Sequence, residues 1–569
     1  MTNAPTTEVE EHSGGHVRPW AEAGLVVLFG VVLTVWFTWP LAARMGSLGR
    51  ADNGDGQFSI WNVAWVARAL VRQPLRVFDA NIFHPHRSTL AFSEANLGAG
   101  ALAVPAYWAT GDPVVAHSFA FLLSFALTIV TTYYLARYLT RSRCAALTSA
   151  VLFAFCPYLF GRTSHIQLLM VFGLPLCLLA MHRLIDRPTV PRMGVLGFAV
   201  ALQGLFCAYY GVLAGLLVGL GVLYYASLDG RWRQLRYWTL ATGAALVAVL
   251  IVLPFFLPYR ELQVTTGFGR SLADAATYSA DWGAYFASNS RLHAWMLALL
   301  HRRNDVLFPG FLAMGLGVAG LLVGWRQTGT RRHAIYYTLV LGLALWSSFG
   351  PKAGLYRALY HAVPVFSLLR APARFGVAVT LALAVLSGFA VARVLRAQAP
   401  RRAGFVSAAL IVAALADLHL SEMPFRDVPP PARIYRFLRD LPPGAVVEFP
   451  FFYLREMFHR HSWYMLQSTY HWKPLVNGYS DYIPQDFRDM AVPLSSFPNM
   501  AGFRILEPRG TRYVVFHLDW YNRKNRDALV ERLYRYREFL RPLNCGRDTL
   551  LYEIVGWPQH ENERKKPGP

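Results

Sequence analysis

The chain has 569 residues, of which 54% are apolar and only 15% charged, with a mean hydropathy of +0.30. That balance excludes an ordinary soluble domain and describes a polytopic membrane protein. Lys and Arg outnumber Asp and Glu by 55 to 33, a formal charge of +22; in so apolar a chain the excess reads as membrane topology, and no nucleic-acid partner is expected.

In chain order, the tail 1–21 carries Glu8, Glu10 and Glu11 and lacks a basic leader. The apolar run 22–41 that follows therefore reads as a retained transmembrane helix, not a cleavable signal. At about 1.5 Å per residue it is long enough to cross a hydrocarbon core. The next segment, 42–113, is too long to be a mere connection. It holds Asp52-Asn53-Gly54-Asp55, His84-Pro85-His86 and Ser93-Glu94. Between them, Phe58, Ile60, Trp61, Val63, Ala64, Trp65, Leu70 and Val71 recur at helical spacing, interrupted by Arg68 and Arg72. This pattern predicts a helix lying at the membrane interface with its tryptophans at headgroup level. Asp52 and Asp55 precede or open it. Their structural role there is capping; their functional role is that of a general base on a hydroxyl or of ligands for a divalent cation.

Ten further apolar runs lie near 114–136, 144–160, 166–181, 193–207, 209–227, 237–257, 307–324, 334–349, 374–392 and 404–420, giving about eleven spans. Alternate connections are arginine-rich: Arg137, Arg141 and Arg143; Arg183, Arg187 and Arg192; Arg231, Arg233 and Arg236; Arg326, Arg331 and Arg332; Arg393, Arg396, Arg401 and Arg402. The positive-inside rule makes these loops and the N-terminus cytoplasmic. The 42–113 loop, the turn holding Arg162, His165 and Gln167, the 258–306 loop, the 350–371 segment and everything from about Ser421 are then extracytoplasmic. Arg370 and Arg374 flank a proline turn at the outer end of a span. A guanidinium there either snorkels to lipid headgroups or seats a phosphate through paired hydrogen bonds.

Residues 421–556 predict an extracytoplasmic α/β or α+β domain, with helices over 432–441, 463–470 and 527–540 and strands over 446–449, 512–516 and 549–554. The last residues, 557–569, are expected to be disordered. Cys144, Cys156, Cys177, Cys207 and Cys545 form no CxxC pair, so neither a disulfide framework nor a zinc site is indicated. There is no Walker A sequence and no GxSxG elbow.

Taken together, Asp52-Asn53-Gly54-Asp55, Trp61-Asn62-Val63-Ala64-Trp65, Asn81-Ile82-Phe83-His84-Pro85, Ser93-Glu94, Arg162-Thr163-Ser164-His165-Ile166-Gln167, Leu369-Arg370-Ala371-Pro372-Ala373-Arg374-Phe375 and Asn477-Gly478-Tyr479-Ser480 resemble the GT-C superfamily of integral-membrane glycosyltransferases, in particular its bacterial multi-spanning members. The resemblance covers nearly the whole chain. It implies a polytopic α-helical GT-C-like module over 22–420, set in the bacterial cytoplasmic membrane. The activity it implies is transfer of a sugar, hexose or pentose, from a polyprenyl-phosphate donor to an extracytoplasmic glycan or lipid. By position, the base falls to Asp55 first and Asp52 second, with Glu94 as partner carboxylate; Asn53 and Gly54 separate the two aspartates, where an adjacent acidic pair is commoner. Arg370, Arg374 and Arg162 are expected to hold the donor phosphate. His84, His86, His165, Gln167 and Asn477 are expected to touch substrate. If a divalent cation such as Mg or Mn takes part, Asp52, Asp55 and Glu94 would hold it. The rival readings are a transporter or flippase of lipid-linked saccharide and a non-catalytic envelope assembly protein.

Overall fold

The computed structural model describes residues 18–300, 305–420 and 423–558. Most of the two tails expected at 1–21 and 557–569 lies outside the described residues. Each apolar run falls on a helix: Pro19–Phe37, Pro113–Thr140, Arg143–Ala154, Gly173–Asp186, Val190–Phe206, Ala208–Leu228, Leu235–Thr266, Phe311–Arg326, Thr328–Ser348, Gly376–Arg396 and Pro400–Leu418. The run expected at 166–181 is broken, with a single 3₁₀ turn, Ile166–Leu169, preceding the helix. Among the described residues, six helical segments are long and apolar enough to cross a bilayer by themselves: Pro19–Phe37, Pro113–Thr140, Arg143–Phe160, Ala208–Leu228, Leu235–Thr266 and Pro372–Arg396. The remainder are shorter or open on a polar turn, as Thr328–Ser348 does with Arg331 and Arg332. Such helices enter a membrane as parts of a bundle, and the Gly376–Arg396 helix shows why: Arg143–Ala154, Phe311–Arg326 and Thr328–Ser348 pack around it and hide it from lipid.

The arginine-rich connections meet at one end of the bundle. Arg143 Nε lies 2.9 Å from Glu22 Oε2, and Tyr133 donates to the same carboxylate. Tyr138 donates to Asp186; Arg332 reaches Asp229 at 3.5 Å; Arg396 donates to the Thr140 carbonyl at 3.1 Å. The remaining connections converge on the other end with the C-terminal unit.

That unit is built on a four-stranded sheet in the order β3-β4-β6-β5, where β3 is Ala445–Phe449, β4 Thr511–His517, β5 Leu540–Cys545 and β6 Thr549–Ile554. β3 runs parallel to β4; the other pairs are antiparallel. The predicted strands are all present, but the helix expected over 527–540 ends at Arg535 and its last residue, Leu540, begins β5. β5 reads Leu-Arg-Pro-Leu-Asn-Cys, with no β-branched or aromatic residue and largely exposed, so the sequence there carries little strand signal.

The first loop is stitched to this unit by its backbone. β1, Leu48–Gly49, pairs antiparallel with β2, Arg426–Asp427. Leu475 joins the edge of β3 and in turn donates to the Asn81 carbonyl at 2.7 Å, while Phe83 and His84 donate to the carbonyls of Asn477 and Leu475 at 3.1 and 2.9 Å. The helix predicted in this loop is Gly54–Arg72, but it does not lie at a lipid surface. Trp61 and Trp65 are 0% and 3% exposed, and their indoles donate to Asn81 and to the Val77 carbonyl. An amphipathic pattern specifies an apolar covering, and protein supplies it here instead of lipid.

The start of that helix is tightly constrained. A Cβ on Gly56 would stand 1.6 Å from the Arg50 carbonyl oxygen, whereas one on Gly215 would meet nothing within 4 Å. Gly56→Ala is expected to destabilise the folded protein by about 1–3 kcal/mol or more, and Gly215→Ala, inside the Ala208–Leu228 helix, to leave it as stable or slightly more so, as read by thermal unfolding in detergent.

Candidate active site

The converging outer connections enclose a cavity of about 200 Å³. One wall is polar and carries Asp55, Ser59, Ser164, His165 and Gln167. A second holds Ser93, Glu94, Arg270, Arg370, Arg374 and Asp481. The third is apolar, with Val212, Phe256, Leu262, Val365 and Leu368.

The sequence Arg50 to Asp55 positions the first wall. Asn53 caps the Gly54–Arg72 helix, its side-chain oxygen accepting from the Gly56 N–H at 2.8 Å, so neither aspartate has that task. Asp52 is gripped by Arg50 through two N–H bonds of 2.9 and 3.1 Å. The same guanidinium donates to the Thr163 hydroxyl, and the Asn53 amide donates to Ser164 Oγ at 3.1 Å. These contacts hold the 161–165 turn against the helix start, which places His165 Nε2 3.5 Å from Asp55 Oδ2. On its other side Asp55 accepts from the Tyr479 hydroxyl at 3.3 Å. With 48% of its side chain exposed, Asp55 is open to the cavity. Asp52 is not among the lining residues. Burial opposes its charge, but Arg50 prevails and holds the carboxyl below the usual aspartate range.

Glu94 is half-buried and accepts from the Ala208 N–H at 2.5 Å, the opening turn of the Ala208–Leu228 helix. Burial raises its pKa, against the lowering influence of Arg374 and that N–H. Burial lowers the pKa of His165, with Asp55 opposing. Arg370 reaches Asp481 at 3.2 Å and lies over the Tyr278 ring; Arg374 lies over Tyr209.

Of the residues singled out in the sequence, Asp55, Glu94, His165, Gln167, Arg370 and Arg374 line this cavity. The others are occupied elsewhere. Arg162 stacks on Tyr158 and faces Asp305 at 3.9 Å. His84 meets the Arg509 carbonyl and His86 meets Asp486, both tying the first loop to the C-terminal unit. Asn477, fully buried, exchanges two bonds with the Glu448 backbone. Sequence reasoning passed over Arg270, in the 258–306 loop, and Asp481, in the C-terminal unit; neither lies in a motif that would have singled it out. Among the described residues no three His, Cys, Asp or Glu side chains converge tightly enough to hold a metal ion. Of the three carboxylates named for a cation, Asp55 and Glu94 line the cavity and Asp52 is paired with Arg50 outside it.

No protein-family model and no curated protein matches the chain. Solved structures do. Arabinofuranosyltransferase AftD from Mycobacteria aligns over 95% of this chain with a TM-score of 0.58 and 15% identity, and this chain spans 42% of AftD. The archaeal oligosaccharyltransferase AglB from Archaeoglobus fulgidus, solved with an inhibitory peptide and a dolichol-phosphate, aligns over 96% of this chain and 75% of its own, at 16% identity and a TM-score of 0.48. ArnT from Cupriavidus metallidurans bound to undecaprenyl phosphate aligns over 94% of this chain and all of its own, at 15% identity and a TM-score of 0.36. The likeness to AftD is one of fold: a multi-spanning helical membrane module with a C-terminal unit carrying a small sheet.

Because Asp52 has a depressed pKa when folded, its pairing with Arg50 stabilises the protein above the ordinary aspartate value and ceases to do so as pH falls through the lowered one. Asp52→Asn is expected to cost about 1 kcal/mol or less at neutral pH, given its partial exposure, and to weaken the acid-side loss of stability.

Proposed function

We propose that the chain is a membrane glycosyltransferase that moves a hexose or pentose from a polyprenyl-phosphate sugar to an extracytoplasmic envelope glycan or lipid. The observation that carries the proposal is a single cavity in which an accessible carboxylate, Asp55, faces guanidinium groups and an apolar wall. Those three surfaces match the three parts of such a reaction: a hydroxyl to deprotonate, a phosphate to hold and a lipid to receive.

In this reading the acceptor oxygen attacks the anomeric carbon and its proton passes to Asp55. The bond from that carbon to the phosphate oxygen breaks, and the electron pair leaves with the polyprenyl phosphate. Arg370 and Arg374 stabilise the charge that grows on the departing oxygen, a contribution largest where water is excluded. His165, kept neutral by burial, and the Tyr479 hydroxyl flank the base and fix its direction. Glu94, held by the Ala208 N–H and raised in pKa by burial, lines the same cavity and is placed to orient a sugar hydroxyl.

The separation of ends supports the orientation. Arginine-rich connections occupy one end of the bundle and the cavity the other. The positive-inside rule then puts the N-terminus in the cytoplasm and the cavity outside, in a bacterial cytoplasmic membrane. A lipid donor suits that location, because no soluble nucleotide sugar is required there.

Transfer of labelled sugar from polyprenyl-phosphate donors in membranes tests the proposal. Asp55→Asn is expected to lower the rate by about 10²–10⁴-fold, with Asp52→Asn retaining most of it; full activity in the Asp55 variant would remove that residue from the chemistry. Arg374→Ala is expected to raise the donor KM and lower kcat together. Since His165 charges only below the ordinary histidine range, transfer should be level across about pH 6.5–8 and fall on acidification. Chelation by EDTA is expected to leave it unchanged, and loss restored by Mg or Mn would assign Asp55 to a cation instead.

A further inference from the structure

Asp481 is an unusual neighbour for a phosphate seat. It sits between two guanidinium groups, 3.2 Å from Arg370 Nη1 and 3.5 Å from Arg270 Nη2, and accepts from the Ser93 hydroxyl at 3.4 Å. None of these groups is placed by chance. Arg270 follows the Leu235–Thr266 helix; its N–H donates to the Ser367 carbonyl and its own carbonyl accepts from the Tyr360 hydroxyl, so its backbone is locked beside Arg370. Asp481 is held from both sides, by the Tyr479 hydroxyl on Asp55 and by the Tyr482 N–H on the Phe92 carbonyl. The carboxylate thus belongs to the cavity wall and cannot leave without undoing the contact of the C-terminal unit with the first loop.

The consequence is a fixed charge. Arg270, Arg370 and Arg374 bring three guanidinium charges to this wall, and Asp481 offsets one of them. A sugar joined to a lipid through one phosphate is a phosphodiester with a single negative charge. A diphosphate carries at least two, and so, for much of its population at neutral pH, does the phosphate monoester released by transfer, since its second pKa is about 6. A fixed carboxylate at the seat penalises each extra negative charge.

Resting on the donor reading above, we propose that Asp481 is the specificity-determining residue of the phosphate seat, selecting a lipid phosphodiester over a lipid diphosphate and hastening departure of the monoester product. Arg270 is its structural counterpart, a second guanidinium made tolerable by the carboxylate when no substrate is bound.

The test uses the full-length protein in nanodiscs, with three probes that share one lipid tail: farnesyl methyl phosphodiester, farnesyl phosphate and farnesyl diphosphate. Dissociation constants are measured for the unsubstituted protein, Asp481→Asn, Asp481→Ser and Arg370→Ala, each checked for its thermal unfolding midpoint. With Asp481 replaced, all three affinities are expected to rise, and the preference for diphosphate relative to phosphodiester to increase about tenfold. The monoester should show the same gain at pH 8 and less of it at pH 5.5. A merely structural role would weaken all probes in proportion and leave their ratio alone. An unchanged ratio in both Asp481 variants, with binding still weakened by Arg370→Ala, would overturn this inference and spare the donor reading. Binding of no probe to the unsubstituted protein would overturn both.

Discussion

The whole arrangement depends on hiding one helix. Gly54–Arg72 is apolar on most of its surface and is not a membrane span, so it must be covered by protein. The Leu97–Thr110 and Pro113–Thr140 helices cover it from the membrane module, and the His461–Ser468 helix covers it from the C-terminal unit. Its buried tryptophans belong to the same core as Val446, Phe449, Val514 and Phe516 of the sheet. The two parts of the chain are therefore joined by a shared core as well as by the backbone bonds of Asn81, Phe83 and His84. Asp55 stands at the end of this helix, and its direction is fixed by everything that fixes the helix.

Electrostatics then divides labour between two aspartates three residues apart. Asp52 is committed to Arg50, and through it to the Thr163 turn, so its charge is spent on structure. Asp55 meets the Tyr479 hydroxyl and His165, whose pKa burial lowers, and is open to the cavity. The intervening Asn53 and Gly54 are what allow this: one caps the helix, and a Cβ on the other would stand 2.9 Å from His459.

Much of the fold was legible from the sequence, because apolar runs of membrane length and alternating arginines leave few other solutions. The likeness of position put Asp55 before Asp52; the pairing of Asp52 with Arg50 depends on tertiary geometry that the sequence does not display. What was not legible follows from contacts across long stretches of chain. His84, His86 and Asn477 carry chemistry-bearing side chains, yet each serves the junction between the first loop and the sheet. Arg162 shares a turn with His165 but turns toward Tyr158 and Asp305. Conversely, Arg270 and Asp481 gain meaning only from being within reach of each other, 211 positions apart in the sequence. The interfacial placement expected of Trp61 and Trp65 failed for a related reason: periodicity reports that a face is covered but not by what.

The closing of the cavity by Tyr479 and Asp481 has a bearing on biogenesis. Both lie in the part of the chain synthesised after every helix of the bundle, and in the orientation inferred here that part must cross the membrane before it can fold against the first loop. Until then the helix start at Asp55 lacks its tyrosine, the paired arginines lack their carboxylate, and the apolar face of Gly54–Arg72 lacks its lid. In a partly exported chain these cavity-lining residues are unassembled, so in that orientation the cavity is completed only after the C-terminal unit has crossed the membrane.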